Sequence, residues 1–138
     1  MLENNGQTMR AHNESNLQKS CVRWFRLQYP KLASLLFAVP NGGARNAITG
    51  AILKAEGVTK GVADLLLLVP TKHHHALCVE MKTPKGRQSE NQKHWQRAVE
   101  AQGYYYAIVR SLDEFVELVR WYLNEPPKAR LQGRIKFT

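Results

Sequence analysis

Two short apolar segments joined by a polar loop constrain the fold of this chain more than any other feature. Leu65 to Val69 and Ala76 to Val79 have the composition of strands, and the loop from Pro70 to His75 between them predicts a β-hairpin. If the residues that flank this loop pair, the numbers of partnered residues add up to roughly 145. Asp64 then lies opposite the segment Glu80 to Lys82, within about one residue of register.

This pairing brings three charged side chains together. Glu80 and Lys82 are two residues apart, so they project from the same face of their strand, and Asp64 shares that face in the expected register. Two carboxylates suit Mg²⁺, with the Met81 carbonyl as a third protein ligand, and a lysine suits a phosphate or an attacking water. On spacing alone, a surface salt bridge at the end of a sheet explains the same residues equally well.

The rest of the chain alternates helical and extended patterns, which predicts an α/β fold with a mixed sheet covered by helices. Ser89 to Gln92 and Ser111 to Glu114 have the sequence of capping boxes at two helix starts. The predicted elements are a helix over 14–29, a strand at the end of 32–39, a helix over 47–55, the hairpin, a helix over 89–101, a strand over 104–110 and a helix from 111 to about 124.

Charge indicates the partner. The chain has 20 Lys and Arg against 11 Asp and Glu, a formal net charge of +9, which favours a polyanion such as nucleic acid. No apolar run is long enough to span a membrane and no signal peptide is evident, so we expect a cytoplasmic protein.

Cys21 and Cys78 lie in apolar periodic stretches, which predicts two reduced, buried thiols.

Several motifs in a fixed order carry a family resemblance. They are Gly61-Val-Ala-Asp64, Val79-Glu80-Met-Lys82-Thr-Pro84 and Gln88-Ser-Glu-Asn-Gln92-Lys93, preceded by Glu14-Ser-Asn-Leu-Gln18 and by Val39-Pro-Asn-Gly-Gly-Ala-Arg45. Together they resemble the core of the VRR-NUC family, a branch of the PD-(D/E)XK nuclease superfamily, over roughly residues 14–123. One departure is Ala63, which stands where the superfamily name has proline; proline is not chemically required there.

The resemblance implies a restriction-endonuclease-like fold and a set of site residues. Asp64 and Glu80 match the metal-binding acids, Lys82 the catalytic lysine, Gln92 a site glutamine, and Glu14 an outer-sphere acid. Two of these assignments have structural alternatives. Gln92 also completes the capping box with Ser89, and an acid such as Glu14 is favourable in the first turn of a helix without any metal.

Basic and glycine-rich segments around the site predict DNA contacts. We expect a solvent-exposed loop, rather than a zinc site, for the histidine run 73–75, because adjacent histidines on a strand point in different directions. The expected DNA-binding residues are Asn41, Gly42, Gly43 and Arg45 in the loop before the second helix, and Lys85, Arg87, Lys93 and Arg97 after the site.

The resemblance therefore implies a Mg²⁺- or Mn²⁺-dependent DNA endonuclease in replication or repair, of the phage or bacterial type. Small stand-alone members resemble Holliday-junction resolvases, so we expect a homodimer acting on branched DNA. A non-catalytic nucleic-acid-binding module on the same fold is the alternative, and a sequence-specific restriction enzyme ranks third. The expected organisation is a flexible N-terminus over 1–12, the nuclease domain over 13–124 and a basic tail over 125–138.

Overall fold

A computed structural model of the protein describes residues 2–40 and 47–124. Its four strands form one sheet in the order β1-β2-β3-β4, antiparallel except for the parallel pair β3 and β4. This is the predicted α/β architecture. The elements are α1 (Leu2–Gln28), a 3-10 helix (Pro30–Leu35), β1 (Leu36–Ala38), α2 (Ala47–Ala55), β2 (Leu65–Leu67), β3 (Leu77–Met81), α3 (Glu90–Ala101), β4 (Tyr105–Val109) and α4 (Leu112–Tyr122).

The hairpin formed by β2 and β3 lies one residue from the nominal predicted register, within the expected margin. Leu65 pairs with Val79 and Leu67 with Leu77, so the partnered numbers add up to 144. The next pair towards the open end of the hairpin is Asp64 and Glu80. Because side chains alternate between the faces of a strand, both carboxylates lie on one face of the sheet.

The two faces of the sheet bury cores of different size. Helices α1 and α4 pack on the first face, where Phe25 and Phe115 meet the strand residues Leu65, Val79 and Met81. Helix α3 packs on the other face, where Trp95 and Val99 cover a smaller cluster of Ala63, Cys78 and Tyr106. Glu80 and Lys82 share this second face with Cys78, so the larger core supports the strands from behind while α3 flanks the charged groups.

Helix α2 has the predicted bounds, and the chain turns after it at Gly57, whose φ is +106°. Helix α1 differs, because it begins at Leu2 rather than near residue 14. The added turns are polar or charged at most positions and have no apolar stripe, so hydrophobic periodicity does not detect them. The tail over 125–138 lies outside the described residues.

One of the two capping boxes is complete. Ser89 accepts a hydrogen bond from the Gln92 backbone, and the Gln92 side chain accepts one from the Ser89 backbone. At α4, Ser111 accepts from the Glu114 backbone, but the Glu114 side chain accepts from the backbone N–H of Arg110 at 2.8 Å. The prediction of a second complete capping box is therefore wrong. The Glu114 side chain accepts its hydrogen bond from the residue before Ser111 instead of from Ser111 itself.

Both thiols and the histidine run lie where the sequence places them. Cys21 and Cys78 are unpaired and buried, and burial raises the pKa of these thiols to about 12 and about 11, so both stay protonated. His73 and His75 are exposed in the hairpin loop, while the half-buried His74 packs edge-on against Tyr105. Within the described part of the chain, no helix is long and apolar enough to cross a bilayer.

Candidate metal centre

Two carboxylates meet at the open end of the hairpin. Asp64 directly precedes β2, and its backbone carbonyl accepts a hydrogen bond from the Val39 N–H at 2.9 Å. Its side-chain Oδ2 accepts from the backbone N–H of Met81 at 2.7 Å. This bond ties the Asp64 carboxylate to β3, so the carboxylate is held beside Glu80 instead of rotating into solvent.

Glu80 is almost completely buried, with 2 % of its surface exposed, and both of its oxygens are held. Gln92 Nε2 donates to Oε1 at 2.9 Å, and the Tyr106 hydroxyl donates to Oε2 at 3.3 Å. Gln92 also closes the capping box of α3, so its structural role is confirmed while its contact with Glu80 supports the predicted site role. A single side chain thus couples the start of α3 to the acid on β3.

A second layer of hydrogen bonds fixes Tyr106. Gln88 Nε2 donates to the Tyr106 hydroxyl at 3.3 Å and to Gln96 Oε1 at 2.8 Å. Burial, with the nearby Glu80 charge as a second cause, raises the pKa of Tyr106, so its hydroxyl stays protonated and remains a donor. The orientation of Glu80 therefore depends on three elements: β3, β4 and α3.

The two carboxylates repel each other, and Glu80 is the buried one. Burial, followed by the hydrogen bond and the charge of Asp64, raises the pKa of Glu80 to about 9, although Lys82 and Tyr106 act in the opposite direction. At neutral pH the metal-free protein therefore keeps Glu80 protonated. Two adjacent carboxylates, one of them buried, form a donor set that a divalent cation fits, because the cation can replace the proton on Glu80 and neutralise both charges.

The raised pKa predicts a pH-dependent stability. Between pH 4.5 and about 9, Glu80 keeps its proton in the folded state and loses it in the unfolded state. The contribution of this proton to the free energy of unfolding is therefore complete at low pH and is lost as pH rises. Glu80→Gln imitates the protonated acid. Without metal at pH 8, we expect its free energy of unfolding to be about 2 kcal/mol higher than that of wild type. Near pH 5 the difference should shrink towards zero.

Urea unfolding in EDTA at pH 5 and pH 8 measures this difference. Glu90→Gln is the matched control, because Glu90 is exposed on the first turn of α3 and its pair with Lys93 is a weak surface contact at 3.4 Å. Equal stability differences for Glu80→Gln at both pH values would contradict a raised pKa of Glu80.

The remaining protein ligand predicted by the sequence is a backbone atom. N–H and C=O of one strand residue project to the same side, so the Met81 carbonyl, like its N–H, is directed to the Asp64 side of β3. In the described ranges, no three His, Cys, Asp or Glu side chains form a metal-binding group. Mg²⁺ does not need one, since it commonly uses one or two carboxylates with water and substrate oxygens. Glu14 is half-buried on α1 and does not line the groove at the site, so its outer-sphere role stays a prediction.

Lys82 lies on the same face as Glu80, and only 9 % of its surface is exposed. Its backbone N–H donates to the Val109 carbonyl at 3.0 Å, which extends the parallel pairing of β3 and β4 by one residue. Across the described residues, no ion pair within 4.0 Å links Lys82 to either acid. The simple surface salt bridge that spacing also allowed is therefore absent, and the lysine charge acts on Glu80 over a longer distance.

A groove of about 880 Å³ opens beside the two carboxylates. One wall is the start of α3, with Ser89, Asn91 and Gln92. The opposite wall consists of α2 and the loop that follows it. This second wall, which we call the α2 wall, consists of Gly50, Ala51, Leu53, Lys54, Val58, Thr59, Lys60, Gly61 and Val62.

The cations predicted to contact DNA lie outside this groove. Lys85, Arg87, Lys93 and Arg97 are exposed, but none of them lines it. The two lysines that do line it, Lys54 and Lys60, were missed by the sequence reasoning because no local motif marks them. The predicted contacts Asn41, Gly42, Gly43 and Arg45 lie outside the described residues.

Gly61 fixes the distance between the walls. Its φ is +85°, and a Cβ at this position would overlap the backbone of Asn91 and Gln92. The loop that leads into Asp64 is thus in direct backbone contact with the first turn of α3. This contact explains why glycine is required at the start of the segment Gly61-Val-Ala-Asp64.

Arg110, at the end of β4, organises the loop that follows Lys82. Its Nη1 donates to the carbonyls of Thr83 and Gly86, both at 2.7 Å, and to that of Pro84 at 3.3 Å. A guanidinium is suited to such convergent acceptors because its donors are rigidly placed. This loop carries Lys85, so Arg110 positions a basic segment next to the site.

We expect Arg110→Lys to loosen this loop, because a flexible ammonium cannot reproduce the same set of bonds. Trypsin should then cut after Lys85 or Arg87 about tenfold faster than in wild type, since local opening controls proteolysis. Arg97→Lys, an exposed change on α3, is the control and should leave the rate unchanged. Equal cleavage rates for both variants would show that Arg110 does not hold the loop.

Comparison with known proteins identifies the family and supports the fold. The VRR-NUC domain family matches the chain over residues 5–113. A solved structure described as a VRR_NUC domain protein has a similar fold, with a TM-score of 0.72 and 21% sequence identity, covering 81% of this chain and 88% of that chain. No curated protein sequence matches significantly.

Proposed function

The chain belongs to the VRR-NUC domain family, a nuclease-type family, and we propose that it is a divalent-metal-dependent DNA endonuclease. The observation that carries this proposal is the pairing of Asp64 with Glu80 across the hairpin, on the side of a groove. Both acids are held in place by neighbouring donors instead of being neutralised by salt bridges. This is the arrangement that a cation-assisted phosphodiester hydrolase requires.

The residues of the chain have separate roles in this proposal. Asp64, Glu80 and the Met81 carbonyl would hold Mg²⁺ or Mn²⁺, which, when bound, supplies positive charge to the phosphate and acidifies water. The Met81 N–H fixes Asp64, while Gln92 and Tyr106 fix Glu80. Lys82 lies on the same face as Glu80, and it stabilises the negative charge that develops on the phosphate.

The proposed substrate is branched DNA, cut during replication or repair by a homodimer. The net charge of +9 supports a nucleic-acid partner, and the resemblance to junction resolvases suggests the branch and the dimer. Two copies would place two sites on the two strands of a junction. Light scattering of the purified protein tests this geometry, because a monomer at high concentration is incompatible with it.

Nicking of supercoiled plasmid and of a labelled four-way junction tests the activity. We expect cleavage with Mg²⁺ or Mn²⁺, none with EDTA, and faster cleavage of the junction than of a linear duplex with the same arms. Tight binding of both DNAs without cleavage in either metal would contradict the proposal and identify a non-catalytic binding module on this fold.

A further inference from the structure

The two walls of the groove differ in chemistry. The α3 wall offers neutral polar groups, whereas the α2 wall combines apolar side chains with the lysines. Ala51, Leu53 and Val58 supply the apolar surface, and Lys54 and Lys60 stand beside it. Of the described residues that line the groove, these two lysines are the only cationic ones, and Asp64 and Glu80 line the same groove.

The position of α2 indicates that this wall is not part of the core. No residue of α2 among those described is buried, and Ile52 remains 53 % exposed. The helix packs on no other element as extensively as α3 packs on the sheet. Its groove-facing side chains are therefore available to a ligand instead of being required to stabilise the sheet.

We propose that the α2 wall binds one unpaired DNA strand, with a base against Ala51, Leu53 and Val58 and the flanking phosphates on Lys54 and Lys60. The proposal rests on the proposed nuclease function and narrows its branched substrate to DNA that presents unpaired nucleotides beside the branch. Two carboxylates alone repel phosphate, and the lysines offset this repulsion from the opposite wall.

The apolar part of the α2 wall favours the binding of single-stranded DNA over duplex DNA. In a duplex the faces of the bases are stacked on one another, so only base edges and the sugar-phosphate backbone reach a protein wall. An unpaired nucleotide exposes its base face, which packs on apolar side chains without sequence preference. A wall that combines apolar residues with two cations is thus complementary to a single strand.

Fluorescence anisotropy with a labelled 15-nucleotide strand of mixed sequence, and with the matching duplex, tests this proposal. The measurement is made in EDTA between 50 and 200 mM salt, so that no cleavage occurs. For the double variant Lys54→Gln/Lys60→Gln, we expect the salt slope for the single strand to fall by about 1.4, since each phosphate contact contributes about 0.7. Lys31→Gln/Lys72→Gln removes two exposed lysines outside the groove and is the control.

A second pair of variants isolates the apolar contact. Val58→Ser and Ile52→Ser both remove an exposed branched side chain, but only Val58 lines the groove. We expect Val58→Ser to weaken single-strand binding about threefold and to leave duplex binding unchanged, because only the strand exposes base faces to it. Ile52→Ser should change neither affinity.

Two results would overturn the strand site. One is an unchanged salt slope in Lys54→Gln/Lys60→Gln, and the other is wild-type protein that binds duplex as tightly as the single strand. Both leave metal-dependent plasmid cleavage, and therefore the nuclease proposal, intact. If wild type binds the strand through these lysines but cleaves no DNA, the nuclease proposal fails and the strand site stands, so the two failures are distinguishable.

Discussion

Replacing Asp64 by asparagine lowers metal-dependent DNA cleavage by at least about a thousandfold, which is the largest effect that we expect of any single substitution. Among the described residues, the substitution removes one of the two carboxylates that line the groove. The asparagine Oδ1 can still accept the hydrogen bond from the Met81 N–H, which in wild type is 2.7 Å long. Charge is therefore lost while the hairpin contact is retained, and because the repulsion of Glu80 is relieved we expect a melting temperature at least as high as that of wild type.

The rate of plasmid nicking with Mn²⁺ measures this loss. Asp113→Asn is the matched control, because Asp113 is exposed on the first turn of α4 and is remote from the groove lining. It should cleave at the wild-type rate. Cleavage by Asp64→Asn at a rate near that of wild type, with both variants folded, would remove Asp64 from the site.

Gly61→Ala is the substitution with the second large expected effect. It lowers stability through packing instead of charge. A methyl group at this position overlaps the backbone of Asn91 and Gln92, and the left-handed φ of +85° adds strain of its own. Neither neighbour can yield as a flexible side chain would. We expect a loss of about 3 kcal/mol in the free energy of unfolding, which lowers the melting temperature by roughly 10 °C.

The same overlap separates the two walls of the groove. Because Gln92 orients Glu80, a shift of the start of α3 displaces that acid, and we expect cleavage to fall about a hundredfold even well below the melting temperature. Gly57→Ala is the control: its φ of +106° is equally unfavourable to alanine, but a Cβ there meets nothing within 4 Å. If both variants lose the same stability and activity, the contact between Gly61 and α3 is not what positions the site.

Local sequence was sufficient for the hairpin and for α2. The apolar runs on both sides of Pro70 to His75 predicted the pairing to within about one residue, and the structure places Asp64 opposite Glu80. Helix α2 was bounded by its own periodicity and by Gly57. Both predictions depended on residues close together in the chain, which is where pattern reasoning is most informative.

Contacts between distant segments were not predictable in the same way. Arg110 binds carbonyls 24 and 27 residues away, and nothing in its own neighbourhood indicates them. Lys54 and Lys60 became site residues only when the fold placed α2 opposite α3. Gln92 shows the intermediate case, since the capping box was visible locally while the bond to Glu80 required the packing of α3 on the sheet.

A crystal structure of the protein soaked in Mn²⁺, with anomalous scattering recorded near the manganese absorption edge, tests the central claim most directly. We predict an ion between the carboxylates of Asp64 and Glu80, bound also by the Met81 carbonyl, with Gln92 still in contact with Glu80. No anomalous peak between the two acids at Mn²⁺ concentrations that support cleavage, or a peak bound by other residues, would contradict the assignment of this site.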